Sequence, residues 1–421
     1  MIAEDSVYAA MESRDSRFDG WVFVAVTTTR IYCRPSCPAV MPKREHLQLY
    51  PTAAAAQVNG FRACKRCRPD AAPGSPEWNL RADVVGRAMR LIADGVIDRE
   101  GVAGLAYRLG YSQRQVYRQL VAEVGAGPQA LARAQRAQTA RVLLESTLLP
   151  VSDIVFAAGF GSVRQFNDTI RQLYGTTPSE LRARAGPTTS GAIALRLPYR
   201  PPMDVAFMLA ALGAEAVPGI AEYENGIYRR SLVLPYGTGV VTLAERPGST
   251  YVACELRLDD LRDLPAAVGR CRRLLDLDAD QEAIDRCLGP LAEAAPGRRV
   301  PGTVDPAELL TRELLGPERL AEVVERHGKP LATPVGGVTR GFPRLDALKE
   351  AGLRGVELGT EADPDQFRAL PGLTERAAAV IRMRALRDPD VVLPDVSLPD
   401  ADCWRPWRSY AMQHLTGSGP G

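Results

Sequence analysis

The chain has 421 residues, of which 46% are hydrophobic and 24% are charged, and its formal net charge is +2. This composition is typical of a globular protein with several domains, and no apolar run reaches the ~20 residues that a membrane helix needs. The charge is uneven, with 24 Lys and Arg against 17 Asp and Glu up to Ser190 and 28 against 33 beyond it. A basic first half favours a nucleic-acid partner. We therefore expect a cytoplasmic protein with no membrane partner.

Two cysteine pairs stand out near the start of the chain. Residues 30–38 read RIYCRPSCP and residues 60–70 read GFRACKRCRPD. The pairs have C-x3-C and C-x2-C spacing and consist of Cys33, Cys37, Cys64 and Cys67. Four thiolates in two short loops favour one tetrahedral Zn2+ as the cofactor. Two disulfides are the alternative, but no signal peptide opens the chain and disulfide-rich domains are small and secreted. A purely structural zinc site stays open at this point.

Both cysteine-containing segments resemble the zinc domain of Ada-type proteins, the bacterial sensors of DNA methylation damage. The resemblance covers residues 5–75. It includes the Arg-Pro-Ser and Lys-Arg sequences next to the cysteines as well as the cysteine spacing. It implies that one zinc-bound cysteine, Cys33 in this chain, takes the methyl group of a DNA methylphosphotriester. A thiolate is the nucleophile in such a reaction, and zinc keeps it deprotonated at neutral pH.

Basic residues around the cysteines indicate that a polyanion approaches them. Those expected to contact DNA are Arg34, Lys43, Arg44, Lys65 and Arg66. Four thiolates on Zn2+ carry a formal charge of minus two, and methylation of Cys33 removes one negative charge. DNA affinity is therefore expected to rise after methylation. The transfer would be stoichiometric, because a thioether is a poor leaving group.

The next segment has the pattern of a helix-turn-helix. Residues 71–80 contain two prolines and a glycine and predict a linker. Within residues 101–120, a first helix is predicted to end at Leu109 and Gly110, and Ser112 is placed to cap a second one. This arrangement is typical of a helix-turn-helix unit.

The helix-turn-helix pattern recurs at residues 150–173, after a long helix predicted over residues 128–145. Two such units resemble the DNA-binding domain of AraC-type regulators, and so does the segment GTTPSELR that follows them at residues 175–182. In that family the second helix of each unit enters a major groove. The residues that this implies for groove contact are Ser112, Gln113, Arg114 and Gln115 in the first unit and Ser162, Val163, Arg164 and Gln165 in the second. Arg118 and Arg171 are expected to meet phosphate, which positions the protein without specifying sequence.

The second half of the chain begins with a different pattern. Residues 184–192 predict a second linker. Beyond it, short segments rich in branched residues alternate with Gly and Pro turns. These segments predict antiparallel strands at residues 227–234, 239–244 and 251–258. Helices are predicted at residues 203–212 and 264–275. From about residue 290 only helices are predicted, at residues 304–314, 317–327, 345–351 and 375–386.

Several short segments of the second half resemble AlkA-type DNA glycosylases. They are RRVPGTVD at residues 298–305, LPGL at 370–373, MRAL at 383–386 and WRPWRSYA at 404–411. The similarity covers most of residues 193–415. It implies a strand-rich domain followed by helices with a helix-hairpin-helix, and the removal of 3-methyladenine and related alkylated bases.

The catalytic carboxylate of such a glycosylase has no direct counterpart here. Base excision needs a carboxylate to stabilise positive charge as the glycosidic bond breaks, and the position that matches the family's aspartate is Val396. Asp395 and Asp400 are the candidate replacements, with Asp395 adjacent but turned by about 100° if the segment is helical. The hairpin also has Thr374 in place of a glycine and Arg376 in place of a pocket tryptophan.

The sequence as a whole predicts a multidomain α+β protein. The predicted domains are a small zinc methyl-acceptor domain at residues 1–75, an all-α double helix-turn-helix at 80–185, an AlkA-like antiparallel-sheet domain at 193–288 and a shortened helix-hairpin-helix domain at 289–421. The predicted function is a response to DNA alkylation, in which methyl transfer to Cys33 is coupled to sequence-specific DNA binding and transcriptional activation. The expected partners are double-stranded alkylated DNA, promoter DNA and RNA polymerase.

Two other functions stay open on the sequence alone. One is an active alkylbase DNA glycosylase with an N-terminal sensor. The other is a non-enzymatic transcription regulator whose zinc is structural.

Overall fold

The computed structural model describes residues 4–15, 18–67, 69, 84–183, 192–350, 353, 370, 372–396 and 401–416. The chain forms two compact units, Met1–Ile193 and Ala194–Gly421. The first linker, most of the second and Asp400 lie outside the described residues. Among the described residues, no helix combines the length and the apolar composition that crossing a bilayer requires.

The first unit opens with a small four-stranded sheet. Its elements are α1 (Glu4–Glu12), β1 (Phe23–Val26), β2 (Ile31–Cys33), β3 (Leu47–Tyr50), α2 (Ala53–Val58) and β4 (Arg62–Ala63). The strand order is β3-β1-β2-β4, in which β1 pairs antiparallel with β2 and β3, and β2 pairs parallel with β4. Val24, Ala25 and Tyr32 are fully buried. The sheet thus has an apolar interior, and its β2 and β4 strands end at the same edge.

Helices make up the rest of the first unit. They are α3 (Val84–Ala93), α4 (Val96–Leu109), α5 (Gln113–Val124), α6 (Pro128–Ser146), α7 (Val151–Ala157), α8 (Val163–Tyr174) and α9 (Pro178–Arg182). Within α4, Gly101 has a φ of 68° and interrupts the helix, so the predicted helix-turn-helix begins there. Gly110 ends α4 in the left-handed conformation and Ser112 caps α5, as predicted. The double helix-turn-helix is confirmed.

The small sheet domain and the helices share one hydrophobic core. Ala54 and Ala55 of α2 belong to the same buried cluster as Leu105 of α4 and Val116 of α5. A cluster of this kind links the two parts through burial of apolar surface, which is the main favourable term in folding.

The C-terminal ends of α5 and α8 both lie against the small sheet domain. At the end of α5, Thr52 Oγ1 donates to the carbonyl of Val124 at 2.8 Å, and a Cβ added to the capping residue Gly125 would lie 2.9 Å from the Cβ of Ala55. At the end of α8, a Cβ on Gly175 would lie 3.1 Å from Cδ of Arg62 in β4. The second helix of each helix-turn-helix is therefore in contact with the sheet domain.

The second unit begins with a five-stranded sheet. Its elements are β5 (Ile193–Pro198), α10 (Val205–Ala214), β6 (Ala221–Glu224), β7 (Ile227–Val233), β8 (Thr238–Ala244), β9 (Tyr251–Leu258) and α11 (Leu264–Leu274). The strand order is β5-β9-β8-β7-β6, and the pairs from β6 to β9 are antiparallel. The predicted antiparallel sheet is confirmed, and the three predicted strands, β7, β8 and β9, have bounds that differ from the predicted ones by at most one residue. The strands β5 and β6 were not predicted.

The remaining elements of the second unit are mostly helical. They are α12 (Gln281–Leu288), α13 (Pro290–Glu293), α14 (Pro306–His327), β10 (Lys329–Val335), β11 (Val338–Gly341), α15 (Leu345–Glu350) and two further helices, Glu375–Arg384 and Arg408–Thr416. Gly316 breaks α14 with a φ of 75°, at the place where two separate helices were predicted. The prediction that only helices follow residue 290 is wrong, because β10 and β11 form an antiparallel hairpin.

Two of the segments that resemble AlkA-type glycosylases, residues 298–305 and 404–411, meet in a buried cluster. Arg299, which is 1% exposed, donates to the carbonyl of Asp276 at 2.6 Å. The Asp276 carboxylate accepts from Tyr410 Oη at 2.7 Å and pairs with Arg387. Buried charges of this kind require partners. The two segments therefore help to stabilise the packed interior of the second unit.

Candidate zinc centre and nucleic-acid interface

The edge where β2 and β4 end brings the two cysteine pairs together. Tyr32 pairs with Ala63 in parallel register, so the next residues, Cys33 at the end of β2 and Cys64 just after β4, lie side by side. The Cys64 N–H donates to the Tyr32 carbonyl at 3.0 Å, which fixes this register. A tight turn, closed by the N–H of Cys37, brings the second member of the first pair back toward the edge.

The four sulfur atoms form a metal-ligating cluster. They lie within 4.8 Å of one another and belong to Cys33, Cys37, Cys64 and Cys67. Four sulfurs at about 2.3 Å from one Zn2+ would form a tetrahedron of similar size. Contacts among the thiols, with Cys37 first, and burial raise the pKa of the Cys33 thiol far above its ordinary value. Four thiolates this close to one another repel each other, so a cation is needed to hold them together, and their number and softness fit Zn2+ as the cofactor.

Backbone amides stabilise negative charge on three of the sulfurs. The N–H of Ala39 donates to Cys37, that of Cys67 to Cys64, and that of Arg34 to Cys67. Hydrogen bonds of this kind favour the thiolate and reduce its tendency to share electrons elsewhere. Cys64 and Cys67 are buried, whereas Cys33 and Cys37 are partly exposed.

The loop between Cys33 and Cys37 is held by Asp19, a residue that the sequence analysis missed. The Asp19 carboxylate accepts from the N–H of Ser36 at 3.1 Å and from its Oγ at 2.6 Å. It also lies 3.3 Å from Nη1 of Arg34. The Asp-Gly dipeptide at Asp19 was the available signal, since it is typical of a tight turn before a strand.

Most of the basic residues predicted to contact DNA near the cluster are exposed. The exposed ones are Lys43, Arg44, Lys65 and Arg66. Arg34 is partly buried through its ion pair with Asp19, and the Arg44 guanidinium lies 5.3 Å from the ring centre of Tyr8. A phosphate backbone could reach these charges from solvent.

All the predicted contacts on α5 and α8 are exposed. They are Ser112, Gln113, Arg114, Gln115, Arg118, Ser162, Val163, Arg164, Gln165 and Arg171. Ser112 and Gln115 also form a capping box, with bonds of 3.1 and 3.3 Å, and Ser162 caps α8 by accepting from the N–H of Gln165 at 3.2 Å. The side chain of Arg164 is 93% exposed. The start of each helix thus presents polar groups on a capped, well-defined first turn.

The glycosylase candidate Asp395 lies at the surface of the second unit. Its carboxylate accepts two hydrogen bonds from Arg376, which lower the pKa of Asp395, and both side chains are about half exposed. Val396 follows it and is partly buried. A solvated, ion-paired carboxylate is poorly suited to stabilise positive charge in a flipped-base pocket. Asp400 and much of the predicted hairpin lie outside the described residues.

The chain matches three known family models in the order of its parts. "Metal binding domain of Ada" matches residues 6–70, "Helix-turn-helix domain" matches residues 105–184 and "AlkA N-terminal domain" matches residues 194–305. The fold and the cysteine cluster therefore define a fusion of an Ada-type zinc domain and a helix-turn-helix domain with an AlkA-type module.

Relatives match this chain either over nearly its whole length or over one of its halves. The chain is 48% identical to the "Probable bifunctional transcriptional activator/DNA repair enzyme AlkA" of Mycobacterium tuberculosis, over 97% of this chain and 95% of the relative. It therefore belongs to this family of bifunctional transcriptional activator/DNA repair proteins. Two Escherichia coli proteins match separate halves. "DNA-3-methyladenine glycosylase 2" is 28% identical over 52% of this chain and 95% of that protein. "Bifunctional transcriptional activator/DNA repair enzyme Ada" is 30% identical over 43% of this chain and 49% of that protein.

Proposed function

We propose that this protein repairs methylphosphotriesters in double-stranded DNA by transferring the methyl group to Cys33, and that the methylated protein activates transcription in the bacterial cytoplasm. The single observation that carries this proposal is the position of Cys33, a partly exposed residue in a four-sulfur cluster among exposed basic residues. Burial excludes Cys64 and Cys67 from attack, and the amide of Ala39 draws electron density from Cys37.

The proposed reaction is a single displacement at carbon. Bound Zn2+ keeps the cysteine sulfurs deprotonated. Sγ of Cys33 donates an electron pair to the methyl carbon, the S–C bond forms and the C–O bond to phosphate breaks with its electrons on oxygen. A neutral triester becomes a phosphodiester anion, and Cys33 becomes a neutral thioether. No proton is exchanged, and no described group is placed to reverse the step.

The same step supplies the switch in DNA affinity. The cluster loses one of its two formal negative charges when Cys33 is methylated, so its repulsion of phosphate decreases. The double helix-turn-helix would then bind promoter DNA more tightly through α5 and α8, with RNA polymerase as the partner in activation.

Methylated DNA that is labelled on both phosphates and bases tests this function. We expect one methyl group per chain on Cys33, followed by a rise in promoter affinity. Binding to promoter DNA with no methyl transfer would contradict the proposal and favour a regulator with structural zinc.

Base excision is the second candidate function, favoured by the match of residues 194–305 to the AlkA N-terminal domain. The same labelled DNA reports it through release of free 3-methyladenine. Given Val396 and the Arg376–Asp395 ion pair, we expect no release. Released base that disappears in the Asp395→Asn variant would restore Asp395 as the catalytic carboxylate.

A further inference from the structure

Asp19 is a buried carboxylate beside the methyl acceptor. It lies in the turn before β1 and is 3% exposed. Two residues of the loop between Cys33 and Cys37 contact its carboxylate, because Ser36 donates its N–H and Oγ and Arg34 approaches with Nη1. A buried carboxylate is costly unless it is paired and hydrogen-bonded. The turn is therefore tied to the loop that carries the nucleophile.

Arg34 is fixed by both its backbone and its side chain. Its N–H donates to the sulfur of Cys67, and its guanidinium is held by Asp19 at 3.3 Å. The side chain nevertheless stays 34% exposed. A guanidinium presents several donors in a rigid fork, so one edge can bind Asp19 while another faces an incoming phosphate.

Charge, and not hydrogen bonding alone, distinguishes Asp19 from an isosteric amide. An asparagine at this position could accept from the Ser36 N–H, but it would not attract the guanidinium of Arg34. The Asp19→Asn change therefore separates the support of the loop from the orientation of Arg34.

We propose that Asp19 is a positioning residue for methyl transfer and that Arg34, which it orients, stabilises the charge of the departing phosphodiester. The inference rests on the proposed function. The triester is neutral and the product is an anion, so a fixed guanidinium beside Cys33 interacts more strongly with the transition state than with the ground state. The S–C bond forms and the C–O bond breaks as described above, and the electron pair that Arg34 stabilises ends on phosphate oxygen.

Two methyl donors test this assignment on the full-length, zinc-loaded chain. One is methylphosphotriester DNA at saturating concentration in single-turnover experiments, and the other is iodomethane, which has no phosphate. The variants are Asp19→Asn, Arg34→Gln and the double variant. Zinc content is measured for each, so that the rate constant refers to the loaded fraction. Arg286→Gln, which removes one exposed positive charge from α12, is the matched control for the loss of an arginine.

We expect Asp19→Asn to slow transfer from DNA roughly 10- to 100-fold, the scale of a misplaced or lost preorganised charge. Its rate with iodomethane should equal that of the wild type. The double variant should be no slower than Arg34→Gln alone, because both changes remove the same interaction. Arg286→Gln should leave both the DNA concentration needed for half-saturation and the saturating rate constant unchanged.

Three results would overturn the assignment. They are a wild-type rate in Asp19→Asn, equal slowing with both methyl donors, and additive effects in the double variant. If the wild-type chain reacts at Cys33 with iodomethane but never with DNA, the proposed function itself fails and the role of Asp19 fails with it.

Discussion

At the scale of single residues, exposure separates the four sulfurs of the zinc site. Cys64 and Cys67 are buried residues, whereas Cys33 and Cys37 are partly exposed. Of these two, Cys37 accepts from the N–H of Ala39. An amide hydrogen bond lowers the nucleophilicity of a thiolate, because it stabilises the charge that must be donated. The geometry therefore favours Cys33 as the single acceptor.

Replacement of Cys33 tests this preference directly. We expect Cys33→Ala to abolish incorporation of labelled methyl from phosphotriester DNA, because the remaining exposed sulfur is hydrogen-bonded. Mass spectrometry of the wild-type peptide that contains both Cys33 and Cys37 should place one methyl group on Cys33. Cys403→Ser is a suitable control, since it removes an exposed cysteine from the second unit. Methyl groups on Cys37 in the wild type would contradict the assignment.

Two arginines of α8 are expected to act differently on DNA. Arg164 is in the first turn and Arg171 in the last, so we expect base contact from the first and phosphate contact from the second. Arg164→Ala should cost about 1–3 kcal/mol on promoter DNA and relax sequence preference. Arg171→Ala should weaken binding to all sequences and reduce the salt slope by about 1. Binding titrations over a range of salt, on promoter and scrambled DNA, distinguish the two, and identical profiles would refute the distinction.

Local sequence predicted the ligands of the zinc site but not their support. The cysteine spacing and the Ser112 cap depend on residues a few positions apart, so their patterns are visible in one short window. Asp19 and Ser36 are 17 positions apart. No short sequence motif predicts that their side chains are in contact.

At the scale of elements, the helix-turn-helix units were predictable because glycines and caps mark their ends. The hairpin of β10 and β11 was not, because most of its residues are exposed and its apolar alternation is weak. The four strands of the zinc domain have at most four residues each, which is too short for periodicity to show. These elements depend on pairing partners that the local sequence does not specify.

The contact of α5 with the sheet domain gives a prediction for two glycines. Gly110 and Gly125 both have left-handed backbones, with φ of 74° and 71°, but a Cβ would meet nothing within 4 Å at Gly110 and would lie 2.9 Å from Ala55 at Gly125. Gly110→Ala should cost about 1–2 kcal/mol of unfolding free energy from backbone strain alone. Gly125→Ala should cost more, and urea unfolding of the zinc-loaded chain measures both.

The background variant Ala55→Gly provides the control for the contact. It removes the Cβ that the new side chain would meet, so the excess cost of Gly125→Ala should shrink there while the cost of Gly110→Ala stays the same. Equal costs for both glycines in the wild-type background would show that α5 does not rest on α2 in solution.

At the scale of the whole molecule, the two units should respond differently to metal removal. The cysteine cluster is in the first unit, whose helices share a core with the sheet domain. Binding of Zn2+ to the folded state alone contributes to its stability. We expect a strong chelator to lower the melting temperature of the first unit, including its helix-turn-helix signals, and to leave that of the second unit unchanged. Calorimetry and circular dichroism measure this, and a helical domain that melts as before would contradict the shared core.

The sheet domain also contacts both of the helices that we expect to enter the grooves of DNA. Its α2 side meets the end of α5 and its β4 side meets the end of α8, so one small domain supports both helices, which α6 also contacts. Adjacent major grooves on one face of a duplex are about 34 Å apart. We therefore expect that a chimera which keeps the double helix-turn-helix but carries a metal-binding domain of another size has a different distance between α5 and α8. Such a chimera should bind different promoters.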